Sequence, residues 1–258
     1  MLIDKNKIDI EMSKIEFYIE KLKLEKDWIK YLKEESCLPS PRSNLELLAA
    51  VSIAGNENLF NKLISYDKGI EINNSPKGFL VMCGIAGIGR NLTRKKTNEW
   101  NTLKQFASHS GWRIRESVAM GLQYFGSNDM DFLIEKMEEW TKGNLCEKRA
   151  AIAALCEPGL LNDNNTSKKV LNILYKVTQS IINYTNSKDE EFTILKKGLG
   201  YCWSVAIVSY PVEGKRMFDR ILDINDKNIR LIVKENLKKN RLLKLDKNWV
   251  EKCLSRIK

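Results

Sequence analysis

The chain has 258 residues, 43% hydrophobic and 29% charged, which is enough for a real core under a solvated surface in one large domain or two small ones. Its net charge of +10 suggests an acidic partner, but lysine outnumbers arginine 32 to 11, a bias that an AT-rich coding sequence leaves without selection for binding. A single histidine, His109, and six cysteines (37, 83, 146, 156, 202 and 253) with no C-x-x-C pair exclude an ordinary Cys/His zinc site, so no metal and no cofactor is expected.

In chain order, 8–35 first predicts one long helix. Ile8, Ile15, Leu22 and Ile29 repeat every seven residues, with Met12 and Ile19 between them, but Lys26 and Lys33 then end the coiled-coil seam. Phe17, Leu24, Trp28 and Leu32 widen the apolar face, which suits a cap lying on a globular body, with self-association as the alternative. Leu38-Pro39-Ser40-Pro41 then breaks the chain. Paired helices follow: 45–55, 58–66 and 78–90, then 98–108 with 112–125, and 130–142 with 146–156, stopped by Glu157-Pro158-Gly159. Residues 167–184, 190–210, 213–222, 227–239 and 248–257 complete the array. Asp129 and Asp226 stand where a carboxylate would cap a helix N-terminus. Proline is scarce and apolar/polar alternation is absent, so helices are expected throughout.

The first residues are polar and the longest nearly apolar stretch, 79–89, is well short of the ~20 needed to cross a bilayer. With no secretory leader expected and the cysteines scattered, a reducing, cytoplasmic location follows, with Cys83, Cys156 and Cys202 as core residues.

A segment recurs along this series. Trp112-Arg113-Ile114-Arg115-Glu116-Ser117-Val118-Ala119-Met120-Gly121-Leu122 is echoed by Glu147-Lys148-Arg149-Ala150-Ala151-Ile152-Ala153-Ala154-Leu155, and weaker copies occupy 45–55 and 79–89. The glycines that end the four copies, Gly55, Gly89, Gly126 and Gly159, recur at spacings of 33–37 residues. Such self-similarity marks stacked helical units, each burying its apolar face against its neighbours. The expected fold is all-α, an α-solenoid of helix pairs (an α-α superhelix), with 1–36 as an N-terminal capping helix and 37–258 as one continuous array.

The pattern Arg-x-x-x-Ala-x-x-Leu in 115–122, and nearly so in 149–155, resembles HEAT-type repeats over about residues 43–240. The tryptophan, leucine-glycine and tyrosine spacing of tetratricopeptide repeats is not visible. One branch resembling this chain in size and charge, the bacterial DNA alkylation repair glycosylases, carries a tryptophan followed by a catalytic aspartate. The six tryptophans here are followed by Ile29, Asn101, Arg113, Thr141, Ser204 and Val250.

The sharpest candidate site is a basic ladder at the starts of successive inner helices: Arg113 and Arg115, Lys148 and Arg149, Lys196 and Lys197, then Arg230. A cation there opposes the helix dipole by roughly 0.3–1 kcal/mol if exposed, so each needs a compensating partner. That partner is either an anionic ligand on a concave face or a carboxylate or carbonyl of the neighbouring repeat. Trp112, beside Arg113 and after Ser110-Gly111, is placed at the rim, where an aromatic could stack on a base; Trp140 and Trp203 are core. His109 is a surface turn residue rather than a base, and Gly84, Gly87 and Gly89 mark close helix packing rather than a dinucleotide loop. The leading expectation is a HEAT-like binding scaffold, monomeric and without a catalytic residue, taking a protein segment or a nucleic acid on its concave face. An alkylated-base glycosylase and an assembly module using the N-terminal helix are the alternatives.

Overall fold

The computed structural model describes residues 5–186 and 188–257, without the side chains of residues 5–13, 70 and 71. The heptad positions Ile8 and Met12 therefore lie outside the described side chains. Among the described residues the chain is all-helical, with no strand. The helices are α1 (Lys5–Leu24), α2 (Trp28–Glu34), α3 (Leu45–Ala54), α4 (Glu57–Ile64), α5 (Pro76–Arg90), α6 (Thr97–Ala107) and α7 (Trp112–Gly126). They continue as α8 (Met130–Trp140), α9 (Leu145–Leu155), α10 (Asn164–Gln179), α11 (Glu190–Ser209), α12 (Pro211–Leu222), α13 (Lys227–Leu237) and α14 (Asn240–Arg256). They form two compact units, Met1–Phe125 and Gly126–Lys258.

The first unit is built on α5. Every position from Gly78 to Gly89 is buried, so the helix is apolar all round and must be covered on all sides. α3, α4 and α2 pack on it, and α1 lies along α3. Its glycines mark close approaches. A methyl on Gly87 would sit 2.3 Å from the Phe60 ring of α4, and one on Gly89 would sit 2.3 Å from the Gly121 Cα of α7. At Gly89 and Gly121, α5 and α7 meet backbone to backbone.

In the second unit α11 is central. α9, α11 and α13 pack side by side in that order, while α8, α10 and α12 follow one another along a second row and α14 closes against α11 and α13. The second row is amphipathic: Val170, Leu171, Leu174 and Val177 of α10, and Met217, Phe218 and Ile221 of α12, bury one stripe each at helical spacing. Trp203 is fully buried between the rows, its Nε1–H donating to Thr178 Oγ1 at 3.0 Å and its ring edge-on to Phe218. Asn236, also fully buried, ties α13 to α11. Its amide nitrogen donates to Leu199 O at 2.9 Å and its oxygen accepts from Ser204 N at 2.9 Å.

Several boundaries differ from the sequence expectation. The helix expected over 8–35 is two helices. Asp27 caps α2 by accepting from Lys30 N, and the Trp28 indole N–H donates to Leu22 O at 2.9 Å, capping the end of α1. The helix expected to open at 167 begins at Asn164, because Asp163 accepts from Asn165 N and Thr166 N. It ends at Gln179, short of the expected 184, with Asn183 at a left-handed φ of 61°. The last helix runs from Asn240 with a kink at Asp246, instead of starting at 248. Asp129 and Asp226 do cap α8 and α13.

Candidate functional site

The ladder residues fall into two groups with opposite surroundings. In the first unit, Trp112 opens α7 and is 49% exposed, whereas Arg113 is only 5% exposed. The Arg113 guanidinium stacks on the Trp112 ring at 4.4 Å and donates from Nη2 to Ser40 O at 2.6 Å, to Pro41 O at 3.4 Å and to Asn74 Oδ1 at 3.2 Å. Its backbone N–H donates to Asn73 Oδ1 at 3.0 Å. One residue thus joins the loops before α3 and α5 to the start of α7. No carboxylate of the described residues pairs with it, and burial holds its guanidinium below the usual arginine value. Arg115 is buried too, donating to His109 O at 2.5 Å and Ser110 O at 2.8 Å.

Of the two partners expected for the ladder, Arg113 and Arg115 take the internal one: both are buried and donate to carbonyls instead of lining an open face. Long loops precede α3 and α5 and a four-residue turn precedes α7; their backbone carbonyls and the Asn74 side chain capture the guanidinium groups. The surface position expected for His109 is corrected: its side chain is 9% exposed, Nδ1 accepts from Gly111 N–H at 2.8 Å, and Nε2 donates to Asp67 Oδ1 at 3.1 Å. Both ring nitrogens are engaged, so the imidazole serves the loop and has no lone pair left for a substrate.

In the second unit the ladder stays at the surface. Lys148 is half-buried, 3.4 Å from Ser180 Oγ. The Arg149 stem lies against α11, its Cγ 3.4 Å from where a methyl on Gly198 would stand. Lys196 sits over its own helix's Phe192 ring at 5.2 Å, and the exposed Arg230 donates to Asn225 Oδ1 at 2.6 Å. Lys197 is exposed.

The helix register shows what surrounds Lys197. A methyl on Gly198 would face Arg149 and Ile152 of α9, and one on Gly200 would face Glu235 of α13 at 3.2 Å. Lys197 and Tyr201 lie on the arc between those two directions, with Leu199 buried on the opposite arc. Tyr201 is 45% exposed. Arg241 of α14 donates to its hydroxyl at 2.7 Å and stands 4.7 Å from its ring centroid, and Lys239 Nζ stands 5.9 Å from the same ring. α13 adds the exposed Leu231 and Lys234, and Lys238 follows at its C-cap.

The acidic counterpart of this face is Glu235, which Lys238 binds at 2.6 Å; that hydrogen bond, over a small opposing desolvation, holds the carboxyl below the usual glutamate range. Among the described residues no carboxylate lies within ion-pair distance of Lys197, Lys234, Lys239 or Arg241. The other row behaves differently. A shallow groove of about 530 Å³ between α8 and α10 is spanned by Asp131–Lys169 at 2.7 Å and Glu138–Lys176 at 3.5 Å, which neutralise its charge locally.

Sequence reasoning missed Tyr201, Lys234, Lys238, Lys239 and Arg241. The signal was present in the i, i+4 pairs Lys197/Tyr201 and Lys234/Lys238, followed by Lys239 and Arg241. Tyr201 and Lys234 lie within their helices and Lys238 at the end of one, away from the helix starts where the ladder was sought, while Lys239 and Arg241 open a helix whose start was expected at 248.

Among the described residues no helix is long and apolar enough to cross a membrane, and no group of three or more His, Cys, Asp or Glu could hold a metal ion. No family model, no curated protein and no solved structure matches the chain.

Proposed function

We propose that the chain is a HEAT-like repeat protein that works as a binding scaffold, with the surface formed by α11, α13 and the start of α14 receiving an anionic partner. Support comes from the ordered packing of α9, α11 and α13 against a second row, as stacked helix pairs require. The observation that carries the reading is that Lys239 and Arg241 stand at the Tyr201 ring, with Lys197 one turn away on α11 and Lys234 exposed on α13, and that no carboxylate of the described residues is in ion-pair reach of these four cations. Elsewhere in this unit Lys169, Lys176, Arg216 and Arg256 are paired with acids; among the described residues other cations such as Arg220 and Arg230 are not, but none of them stands with a second cation at an exposed aromatic ring as Lys239 and Arg241 do at Tyr201. Leaving like charges uncompensated side by side is unfavourable, and a polyanion relieves it while releasing its own counterions.

The test is a titration of the full chain with labelled duplex DNA, labelled single-stranded DNA and an acidic peptide, beside a Lys197→Glu/Lys234→Glu variant. At least one polyanion binds the parent and loses most of its affinity for the variant. Binding of none of the three, or equal binding to parent and variant, removes the function.

A second reading concerns assembly. On α1, Phe17 is 54% exposed and Leu24 is 81% exposed, an apolar edge beside the buried Leu22. If this edge joins copies, sedimentation of the parent shows a dimer that Phe17→Ser/Leu24→Ser converts to monomer; a monomeric parent removes the reading.

A further inference from the structure

We infer that the anionic partner of the α11–α14 face is a single-stranded nucleic acid, held by one base stacked at Tyr201 and by phosphates along the flanking lysines. The inference rests on the proposed function above and adds the class of polymer. A cationic surface alone attracts any polyanion; the aromatic group is what discriminates. Tyr201 projects from the centre of the face and is 45% exposed. It is also held in place: its hydroxyl accepts from Arg241 at 2.7 Å, and the same guanidinium covers part of the ring.

A fixed aromatic ring next to a guanidinium plane is a stacking surface for any base, and bases are accessible to it in a single strand but not inside a duplex. Lys197 lies one helical turn before Tyr201 on the same side of α11. Lys234 is exposed on the neighbouring α13, whereas Lys238, just past its end, is already paired with Glu235. Lys197 and Lys234 flank the ring on two adjacent helices, as a backbone passing over it requires. An acidic peptide would use the lysines but has no planar group for the tyrosine. The exposed Leu231 of α13 extends the apolar part of the surface beside the basic one.

The experiment is fluorescence anisotropy of the full chain with a labelled oligothymidylate of about 20 nucleotides, long enough to cover one site of this kind. A duplex of equal length and a labelled polyglutamate peptide serve as competing probes. The single strand binds more tightly than either. Tyr201→Ala weakens it on the order of tenfold while leaving the salt dependence unchanged, because stacking releases no counterions. Tyr201→Phe retains the stacking and recovers most of the affinity. Lys197→Ala/Lys234→Ala lowers the slope of log affinity against log salt by roughly 0.7 for each phosphate that is no longer neutralised. Unchanged melting of each variant shows that the fold is intact.

Equal binding of the strand by Tyr201→Ala and parent overturns the inference, as does a duplex that binds as well as the single strand. Binding of polyglutamate with no binding of the strand overturns the inference and leaves the basic binding face standing. Binding of no probe overturns both.

Discussion

The two units treat the same kind of residue in opposite ways. At the start of α7, Arg113 is drawn inward and holds two loops to the helix through the carbonyls of Ser40 and Pro41 and the side chain of Asn74. The corresponding task in the second unit falls to an anion. Asp226, at the start of α13, accepts from Asn228 N, Ile229 N and, across the loop before α11, Asn183 N. Asn228 then reaches Tyr184 O at 3.2 Å. An aspartate suits a helix N-terminus, where the dipole favours negative charge, whereas an arginine there needs acceptors brought from elsewhere. Because Asp226 closes the second unit, its lysines are not needed for closure and stay outside. A basic residue near a helix start is therefore structural or available according to what its neighbouring loop offers.

The largest effect expected from breaking this comparison is at Arg113. Arg113→Ala removes a buried guanidinium, its stack on Trp112 and its three hydrogen bonds to the half-buried Ser40 and the exposed Pro41 and Asn74, and should cost about 2 kcal/mol, a fall in melting temperature of roughly 4–8 °C by calorimetry. Arg113→Lys should restore only part of the stability: the three bonds all leave from Nη2, which an ammonium can replace, but the planar stack on the Trp112 ring is lost.

Next is the packing of α5 against α7. Gly89→Ala places a methyl 2.3 Å from Gly121 Cα and should cost about 1–3 kcal/mol in denaturant unfolding. In the second unit, Gly159→Ala meets nothing within 4 Å and should be neutral within about 0.5 kcal/mol.

Asp226 follows. Burial pushes its carboxyl up, but the backbone N–H groups of Ile229, Asn183 and Asn228 together outweigh that and hold it below the ordinary aspartate value of about 3.9. A depressed folded pKa means the unfolded chain takes up the proton first. The contribution is therefore fully present above about pH 4 and is lost as pH falls through the folded value. Asp226→Asn should lower stability by about 1 kcal/mol at neutral pH and flatten the acid limb of a melting-versus-pH curve.

The smallest stability effect belongs to the exposed lysines. Lys197→Ala should shift unfolding by less than about 0.5 kcal/mol while weakening polyanion binding.

The sequence pattern carried the helical class and most of the inner helices, because apolar residues at helical spacing and the glycine stops are local signals. It also carried the burial of Trp140 and Trp203 and the exposure of Trp112. The break between α1 and α2 was hidden, since Asp27 and Trp28 each fit a continuous helix until the Trp28 indole turns back to Leu22 O. The fate of Arg113 was hidden for a different reason. Its partners lie about 40 and 70 positions away, in loops whose carbonyls no periodicity locates. Tyr201 is the converse case: its spacing from Lys197 was visible, but the approach of Arg241 depends on how α14 folds back onto α11.

The most direct test of the central claim pairs thermal melting with polyanion titration on two variants, Arg113→Ala and Lys197→Ala/Lys234→Ala. The account predicts a crossed result: the arginine variant melts several degrees lower and binds as the parent does, while the lysine variant melts as the parent does and binds weakly with a shallower salt dependence. An arginine variant that keeps its melting temperature but loses binding would contradict the account, as would a lysine variant that loses stability but keeps binding.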